Sequence, residues 1–297
     1  MSPPDLSALA PAKVNLTLHL TGLRDDGYHL LHSLVVFADM GDSLTVAPDD
    51  NLCLTVSGPM ANGVPTDGRN LVLRAARRLR DLRQVSKGAS IHLEKHLPHG
   101  AGIGGGSSDA AAAIRLLARL WSVPPLTAPE ALPLGADLPV CLCAPAPTVM
   151  RGIGEDLVPA PPLPQGWLVL VNPGIHVPTA EVFKDHDRLF GFTQPWIERL
   201  DNDMRLTPDR FARWLKSQRN DLTKVVLADH FAPAVGDILA RLQGTGARHA
   251  DMSGSGSTCW GWYDTIADAH TAAAAVSADC PEYWVRAARV LDAKDTL

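Results

Sequence analysis

Near its beginning the chain alternates apolar and polar positions. From Ala10 to Leu20, Val14, Leu16, Leu18 and Leu20 fall on one side of a period-two pattern, and Lys13, Asn15, Thr17 and His19 on the other. That period predicts a half-buried strand with the Lys13 ammonium and the Asn15 amide side by side on its non-core face. The turn sequence GLRDDGYH follows, then a second strand around Leu34 to Phe37, and Leu52, Leu54 and Val56 alternate again. Asn70 is placed to cap a helix running to about Leu82. The arginines of LRAARRLRDLR read as the solvated face of that helix, over an apolar stripe of Leu71, Ala75, Leu79 and Leu82.

Ile91 and Leu93 predict a strand running into LPHGAGIGGGSSDAAAAIRLLARLW, where a glycine run gives way at once to a helical pattern through Ile114, Leu117 and Leu120. A proline-rich stretch, the phrase GADLP and a strand near Val149 come next. PAPPLPQG is the clearest linker, which divides the chain at residues 159–166 into domains 1–158 and 167–297. Beyond it, WLVLVNP predicts a strand, TAEVFKDHDRL a helix capped by Thr179, and HFAPAVGDILARLQGTGA a helix stopped by glycines. MSGSGSTCWGWYD reads as a turn into a strand, followed by a helix over Ala267 to Val276 and a strand near Tyr283 to Ala287. Early hairpin-like strands and interspersed helices point to two α+β domains, not a doubly wound sheet.

The stretch Gly100 to Ser108 carries the most chemistry. Gly100, Ala101, Gly102, Gly104, Gly105 and Gly106 let backbone N–H groups approach a ligand without side-chain obstruction. The helix that follows presents its unsatisfied N–H groups and positive dipole end to the same place. Together these make an anion site, whose usual occupant is polyphosphate. Ser107 and Ser108 offer hydroxyls to phosphate or to magnesium, whereas Asp109 is expected to face away or to help start the helix. A flexible linker would not lead straight into an alanine- and leucine-rich helix. G-x-G-x-x-G is satisfied through Gly100, Gly102 and Gly105, but the proline-rich stretch from Trp121 to Pro133 replaces the βαβ context of a dinucleotide fold. No G-K-[ST] ending makes it a Walker loop.

Phosphoryl transfer also needs a group to orient or deprotonate the acceptor and a cation to neutralise phosphate. Asp137, between Gly135 and Pro139, and Lys13 are candidates, though each alone reads as an ordinary turn aspartate and an ordinary strand lysine. Ser253 to Thr258, SGSGST, is equally a tight turn or a ligand contact.

Bulk properties narrow the classes. Across 297 residues the net charge of -5 leaves no broad basic surface, against general nucleic-acid binding. Five cysteines cannot all pair, and Cys141 and Cys143 form C-x-C with no zinc or redox spacing, so reduced, mostly buried thiols in a cytoplasmic protein are expected. MSPPDLSALAP lacks the basic and apolar regions of a signal peptide, and no apolar run approaches a membrane span. His29 and His32, and His92, His96 and His99, have no carboxylate or thiol at ligand spacing, so no metal ligand is assigned.

PAKVNLTLHLTGLRDDGYHLLHSL, LPHGAGIGGGSSDAA, GADLP and MSGSGS, in that order over most of the chain, resemble the GHMP kinase family. PAKVNL with DGYH is similar to the branch that phosphorylates the 2-hydroxyl of 4-diphosphocytidyl-2-C-methyl-D-erythritol on the non-mevalonate route to isopentenyl diphosphate. The resemblance implies an α+β two-domain fold with a ferredoxin-like C-terminal α/β sandwich and the active site in the cleft between domains. It implies ATP as co-substrate, with Mg2+, and a small-molecule cytidylated sugar alcohol as acceptor. By the same resemblance Pro98, His99, Gly100, Ala101, Gly102, Ile103, Gly104, Gly105, Gly106, Ser107 and Ser108 wrap the phosphates, with Asn70 and Lys95 at the adenine pocket. Asp137 becomes the base toward the acceptor hydroxyl and Lys13 its partner. Asn15, Tyr28, His29, Thr179 and Phe183 fall on the substrate side, with Tyr28 and Phe183 sandwiching the cytosine ring and His29 bonding its edge. A cytoplasmic monomer or weak homodimer with no nucleic-acid or membrane partner is expected. The stretch from Trp121 to Gly135 departs from the family in being shorter and richer in proline, which predicts a reduced helix before GADLP. The alternatives are another GHMP kinase, of homoserine or mevalonate type, and a non-catalytic nucleotide-binding homologue; a Rossmann-type oxidoreductase is disfavoured by the missing βαβ unit.

Overall fold

The computed structural model describes residues 6–190, 192, 206–228 and 231–297. Residues 1–5, part of the stretch expected to hold no signal peptide, lie outside them, as does His230 at the head of an expected helix.

The first predicted strand is in fact two, β1 (Leu6–Asn15) and β2 (His19–Leu23). The break falls where the backbone leaves its sheet to bond elsewhere. Leu18 N–H donates to the Arg219 carbonyl at 3.0 Å, and its own carbonyl accepts from Asp221 N–H at 2.8 Å. Both strands lie against β3 (His29–Asp49), far longer than the expected segment at Leu34 to Phe37. Then come β4 (Leu52–Ser57), α1 (Leu71–Leu82), β5 (Gly88–Glu94), α2 (Gly105–Trp121), the single-turn α3 (Ala128–Ala131), α4 (Leu138–Leu142), β6 (Thr148–Gly152) and β7 (Asp156–Pro159). Before GADLP stand the four-residue α3 and a 3-10 turn at Leu132–Leu134. The sheet order is β4-β5-β3-β6-β7, with β1 and β2 also on β3. Only β4 and β5 run parallel.

The second sheet starts with β8 (Trp167–Asn172) and is completed after α5 (Thr179–Leu189), α6 (Pro208–Ser217), α7 (Asp221–Ala228) and α8 (Ala234–Gly244) by β9 (His249–Met252), β10 (Cys259–Tyr263), α9 (Ile266–Asp279) and β11 (Trp284–Arg289). Its antiparallel order, β11-β8-β10-β9, is the ferredoxin-like arrangement in which the last strand joins the first. The helices α6 and α7 escaped the sequence reading. Their signals are nonetheless present: Thr207 accepts from Arg210 N–H as a cap, Pro208 opens the helix, and Phe211, Ala212, Trp214 and Leu215 bury one face.

Strand alternation places the layers. On β3, Val35 and Phe37 turn to a core with α1 and α2, while Leu34 and Val36 turn the other way, to join Val14 and Leu16. On β8, Val169 and Val171 face the helices of the second half, and Leu168 and Leu170 meet Val14, Leu16 and Val36 in a core shared by both sheets. The first strand is therefore buried on both faces, and Lys13 and Asn15 are 2% and 1% exposed, not half-buried. In α1 the buried stripe is Val72, Leu73, Ala75, Ala76 and Leu79, and Leu82, the last residue of the helix, is exposed. Cys53 is exposed, Cys143 partly buried and Cys141, Cys259 and Cys280 buried, all as free thiols.

Candidate active site

The glycine run folds as the sequence suggests, for a reason visible in its neighbours. Gly102 has φ +76°, and a Cβ there would stand 2.2 Å from the Ser253 carbonyl oxygen. Gly104, at φ +62°, caps α2 in a left-handed conformation, and a Cβ on it would be 2.9 Å from Lys13 Cε. No side chain caps the helix. Among the described residues the N–H groups of Gly105, Gly106 and Ser107 have no protein acceptor, and the first bond of the helix is Ser108 N–H to the Gly104 carbonyl at 2.8 Å. Three free N–H groups and the positive helix end thus open into a cleft of roughly 460 Å³.

Not every loop residue faces that cleft. Ile103 is a buried anchor whose carbonyl accepts the Lys13 N–H at 3.0 Å, whereas Ala101, though buried, borders the cleft. Ser108 is fully buried and its hydroxyl donates to the Pro11 carbonyl at 2.7 Å, so its side chain fastens the helix to β1 and is not available as the phosphate ligand expected of it. Ser107 keeps its place on the cleft. Pro98 is partly buried, and exposed His99 bonds the Met60 carbonyl through Nε2. The loop also docks on SGSGST: Ser253 Oγ donates to the Gly102 carbonyl at 2.8 Å, and Thr258 N–H to the Ala101 carbonyl at 3.1 Å. Asn220 holds that second loop, donating to the carbonyls of Met252 and Gly254 at 2.8 and 2.7 Å.

Lys13 and Asp137, separated by most of a domain in sequence, meet beside the glycine loop. Lys13 Nζ lies 3.1 Å from Asp137 Oδ2, with the lysine side chain 3% exposed and the aspartate 40%. Asp137 occupies the cap position of α4, yet its side chain makes no capping bond, which leaves the carboxylate to the cleft. Lys13 also donates to Asn15 Oδ1 at 2.8 Å, and Asn15 Nδ2 donates to Ser33 Oγ at 2.7 Å. Asn15 borders the cleft and each end of its amide also makes one bond to the protein, so it orients Lys13 while a second Nδ2 hydrogen stays unassigned.

Asn70 and Lys95, expected at an adenine pocket, are occupied in the same way. Asn70 Oδ1 accepts Val72 N–H at 2.9 Å and its Nδ2 donates to the Pro65 carbonyl at 2.7 Å. Lys95 is 3% exposed and bridges Asp42 and, at 2.8 Å, Asp109. Asp42 in turn accepts Leu97 N–H at 2.9 Å. The triad ties the end of β5 to the first turns of α2, directly beneath the phosphate loop. Burial works to lower the Lys95 ammonium, and the two carboxylates outweigh it, leaving it raised. Burial pushes the Asp109 carboxyl well above the usual range, opposed by Lys95 and aided by the Asp42 charge. Asp109 does face away from the cleft, as expected. Removing one partner from such a buried pair costs on the order of 3–5 kcal/mol.

At the other end of the cleft, Phe183 packs against His29 with ring centroids 4.8 Å apart. Thr179 is the first residue of α5 and not its cap, a position held by Pro178; its hydroxyl instead bonds Ser255 Oγ at 2.7 Å across to SGSGST. Tyr28 is 58% exposed. Asp187, which no sequence argument singled out, meets His29 Nε2. Among the described residues no group of three or more His, Cys, Asp or Glu is arranged to hold a metal ion.

With this geometry in place, the relatives are informative. Residues 70–145 match the model for the GHMP kinases N terminal domain and residues 204–282 that for GHMP kinases C terminal. A 4-diphosphocytidyl-2-C-methyl-D-erythritol kinase of Jannaschia sp. is 48% identical over 99% of this chain and 100% of its own length. The protein of that name from Dinoroseobacter shibae is 50% identical over 94% of this chain and 93% of its own. A crystal structure of 4-(cytidine 5'-diphospho)-2C-methyl-D-erythritol kinase superposes with a TM-score of 0.75 at 32% identity, covering 96% of this chain and 99% of that one. Homoserine kinase from Cytophaga hutchinsonii shares the fold, with a TM-score of 0.66 at 16% identity, covering 98% of this chain and 96% of that one. The chain belongs to the 4-diphosphocytidyl-2-C-methyl-D-erythritol kinase family of GHMP kinases.

Proposed function

We propose that this chain transfers the γ-phosphoryl group of ATP to the 2-hydroxyl of 4-diphosphocytidyl-2-C-methyl-D-erythritol, giving the 2-phosphate and ADP, with Asp137 and Lys13 at the reacting atoms. The observation that carries the residue assignment is the Lys13–Asp137 pair, 3.1 Å apart at the mouth of an uncapped, glycine-started helix. The N–H groups of Gly105, Gly106 and Ser107 hold the phosphates. Asp137 accepts the proton of the acceptor hydroxyl as its oxygen bonds to phosphorus and the bond to the ADP oxygen breaks. Lys13, clamped by Asn15 and 3.1 Å from Asp137, fixes the position of that carboxylate and directs its remaining N–H toward charge gathering on the transferring group. His29 and Phe183 receive the cytosine, with Tyr28 closing over it.

The donor set fits magnesium that arrives on ATP: it prefers phosphate and water oxygens to a protein cage, with the Ser107 hydroxyl as the nearby protein oxygen. There it would neutralise phosphate charge. The reading takes the protein as a cytoplasmic monomer or weak homodimer acting on a small molecule, without nucleic-acid or membrane partners. The net charge is -5, and among the described residues no helix is long and apolar enough to cross a membrane.

The test is substrate-dependent ADP release by purified protein with ATP and magnesium, measured with the cytidylated acceptor, with homoserine, with mevalonate and with no acceptor. Release with the cytidylated acceptor alone is expected. Release with another acceptor would retain the phosphate end and discard the cytosine end; none at all from folded, ATP-binding protein would favour a non-catalytic homologue.

A further inference from the structure

Asp187 stands one helical turn after Phe183 on α5, and that i, i+4 spacing puts both on the face that meets His29. The two carboxylate oxygens of Asp187 lie 2.9 and 3.0 Å from His29 Nε2. The neighbouring His186 Nδ1 is 3.6 Å from Asp187, too far for a hydrogen bond, so His29 is its closer imidazole. Among the described residues His29 Nδ1 has no hydrogen-bond partner, and it is not among the enclosed orphaned nitrogens. One ring nitrogen is tied to an acid, and the other is open.

An ionised carboxylate only accepts, so the nitrogen facing it carries the hydrogen. In the neutral ring that leaves Nδ1 as a bare acceptor. We propose that Asp187 is a positioning residue: by keeping the hydrogen of His29 on Nε2 it makes Nδ1 an acceptor, which selects a base bearing an exocyclic amino group, cytosine, over uracil. Cytosine presents an N4 donor there. Uracil presents a carbonyl oxygen, and two acceptors would then face each other. The inference rests on the reading above, that His29 and Phe183 receive the base. An asparagine at 187 can turn an amide N–H toward Nε2, which moves the hydrogen to Nδ1 and inverts what the pocket accepts.

The test compares the full-length protein with Asp187→Asn. Inhibition of acceptor-dependent ADP release by cytidine 5'-diphosphate and by uridine 5'-diphosphate gives the base preference, and 15N NMR of the imidazoles gives the tautomer. The expected wild type prefers the cytidine nucleotide by roughly tenfold or more, with hydrogen on His29 Nε2. In Asp187→Asn that preference falls about tenfold, the acceptor KM rises, kcat stays within about threefold, and the Nε2 signature is lost. A folded variant that keeps both its preference and the Nε2 hydrogen overturns the proposal. If the variant does not fold, the wild-type spectrum decides, since a hydrogen on Nδ1 overturns it equally. Wild-type turnover that neither nucleotide inhibits removes the base reading itself, and this inference with it.

Discussion

The two ends of the cleft are built by different means. The end proposed to hold phosphate comes from one continuous stretch, Gly100 to Ser107, and offers backbone N–H groups and a helix terminus. The end proposed to receive the base comes from two distant places, His29 at the start of β3 and the Phe183–Asp187 turn of α5, and offers side chains. Between them Lys13 and Asp137 belong to neither: each comes from its own element, and only the close approach of β1, the glycine loop and α4 makes them a pair. A backbone site tolerates any polyphosphate, whereas a side-chain site can discriminate between bases. On the proposed reading nucleotide binding falls at one end and acceptor choice at the other, so lesions should separate.

The largest separation is expected from Gly102→Ala. The substitution demands a left-handed backbone for alanine, about 1–2 kcal/mol against. It also drives Cβ to 2.2 Å from the Ser253 carbonyl, so the two loops must part. Steady-state kinetics should show the ATP KM raised by about tenfold or more, and thermal unfolding should move down by several degrees, roughly 4 °C or more. An unchanged ATP KM would break the assignment of this end. Phe183→Ala is the mirror experiment. Losing a stacking face worth about 1–3 kcal/mol should raise the acceptor KM roughly 10- to 100-fold and leave the ATP KM within about twofold. If both constants rise together, the two ends are not independent and the comparison fails.

The same contrast explains what the sequence made legible. The loop, its helix and the Asn70 cap follow from neighbours a few residues apart, where glycine freedom, capping and helical period are all local. The alternation at Lys13 and Asn15 showed which side chains share a face, and the structure adds that Asn15 turns its amide to Lys13. The resemblance to a known family, more than spacing, joined Lys13 to Asp137 before any fold was in view. What stayed hidden depends on contacts across the chain. Nothing near Asp42 or Asp109 announces that Lys95 will lie between them, and nothing near Asp187 points to His29, 158 positions away. Thr179 shows the opposite failure: a threonine beside a helix start is a good cap by composition, but Pro178 holds that place and Ser255 takes the hydroxyl. The break between β1 and β2 was equally out of reach, because the groups that bond Leu18 lie at Arg219 and Asp221.

The central claim is that Asp137, held by Lys13, acts on the acceptor hydroxyl and not on ATP. The most direct test is Asp137→Asn, which keeps the shape of the side chain and removes its charge and basicity. Turnover with the cytidylated acceptor and ATP affinity are measured on the same preparation. The account predicts a fall in kcat of about 10²- to 10⁴-fold with the ATP dissociation constant unchanged within about threefold. Unchanged turnover, or turnover lost only in step with ATP binding, would contradict it.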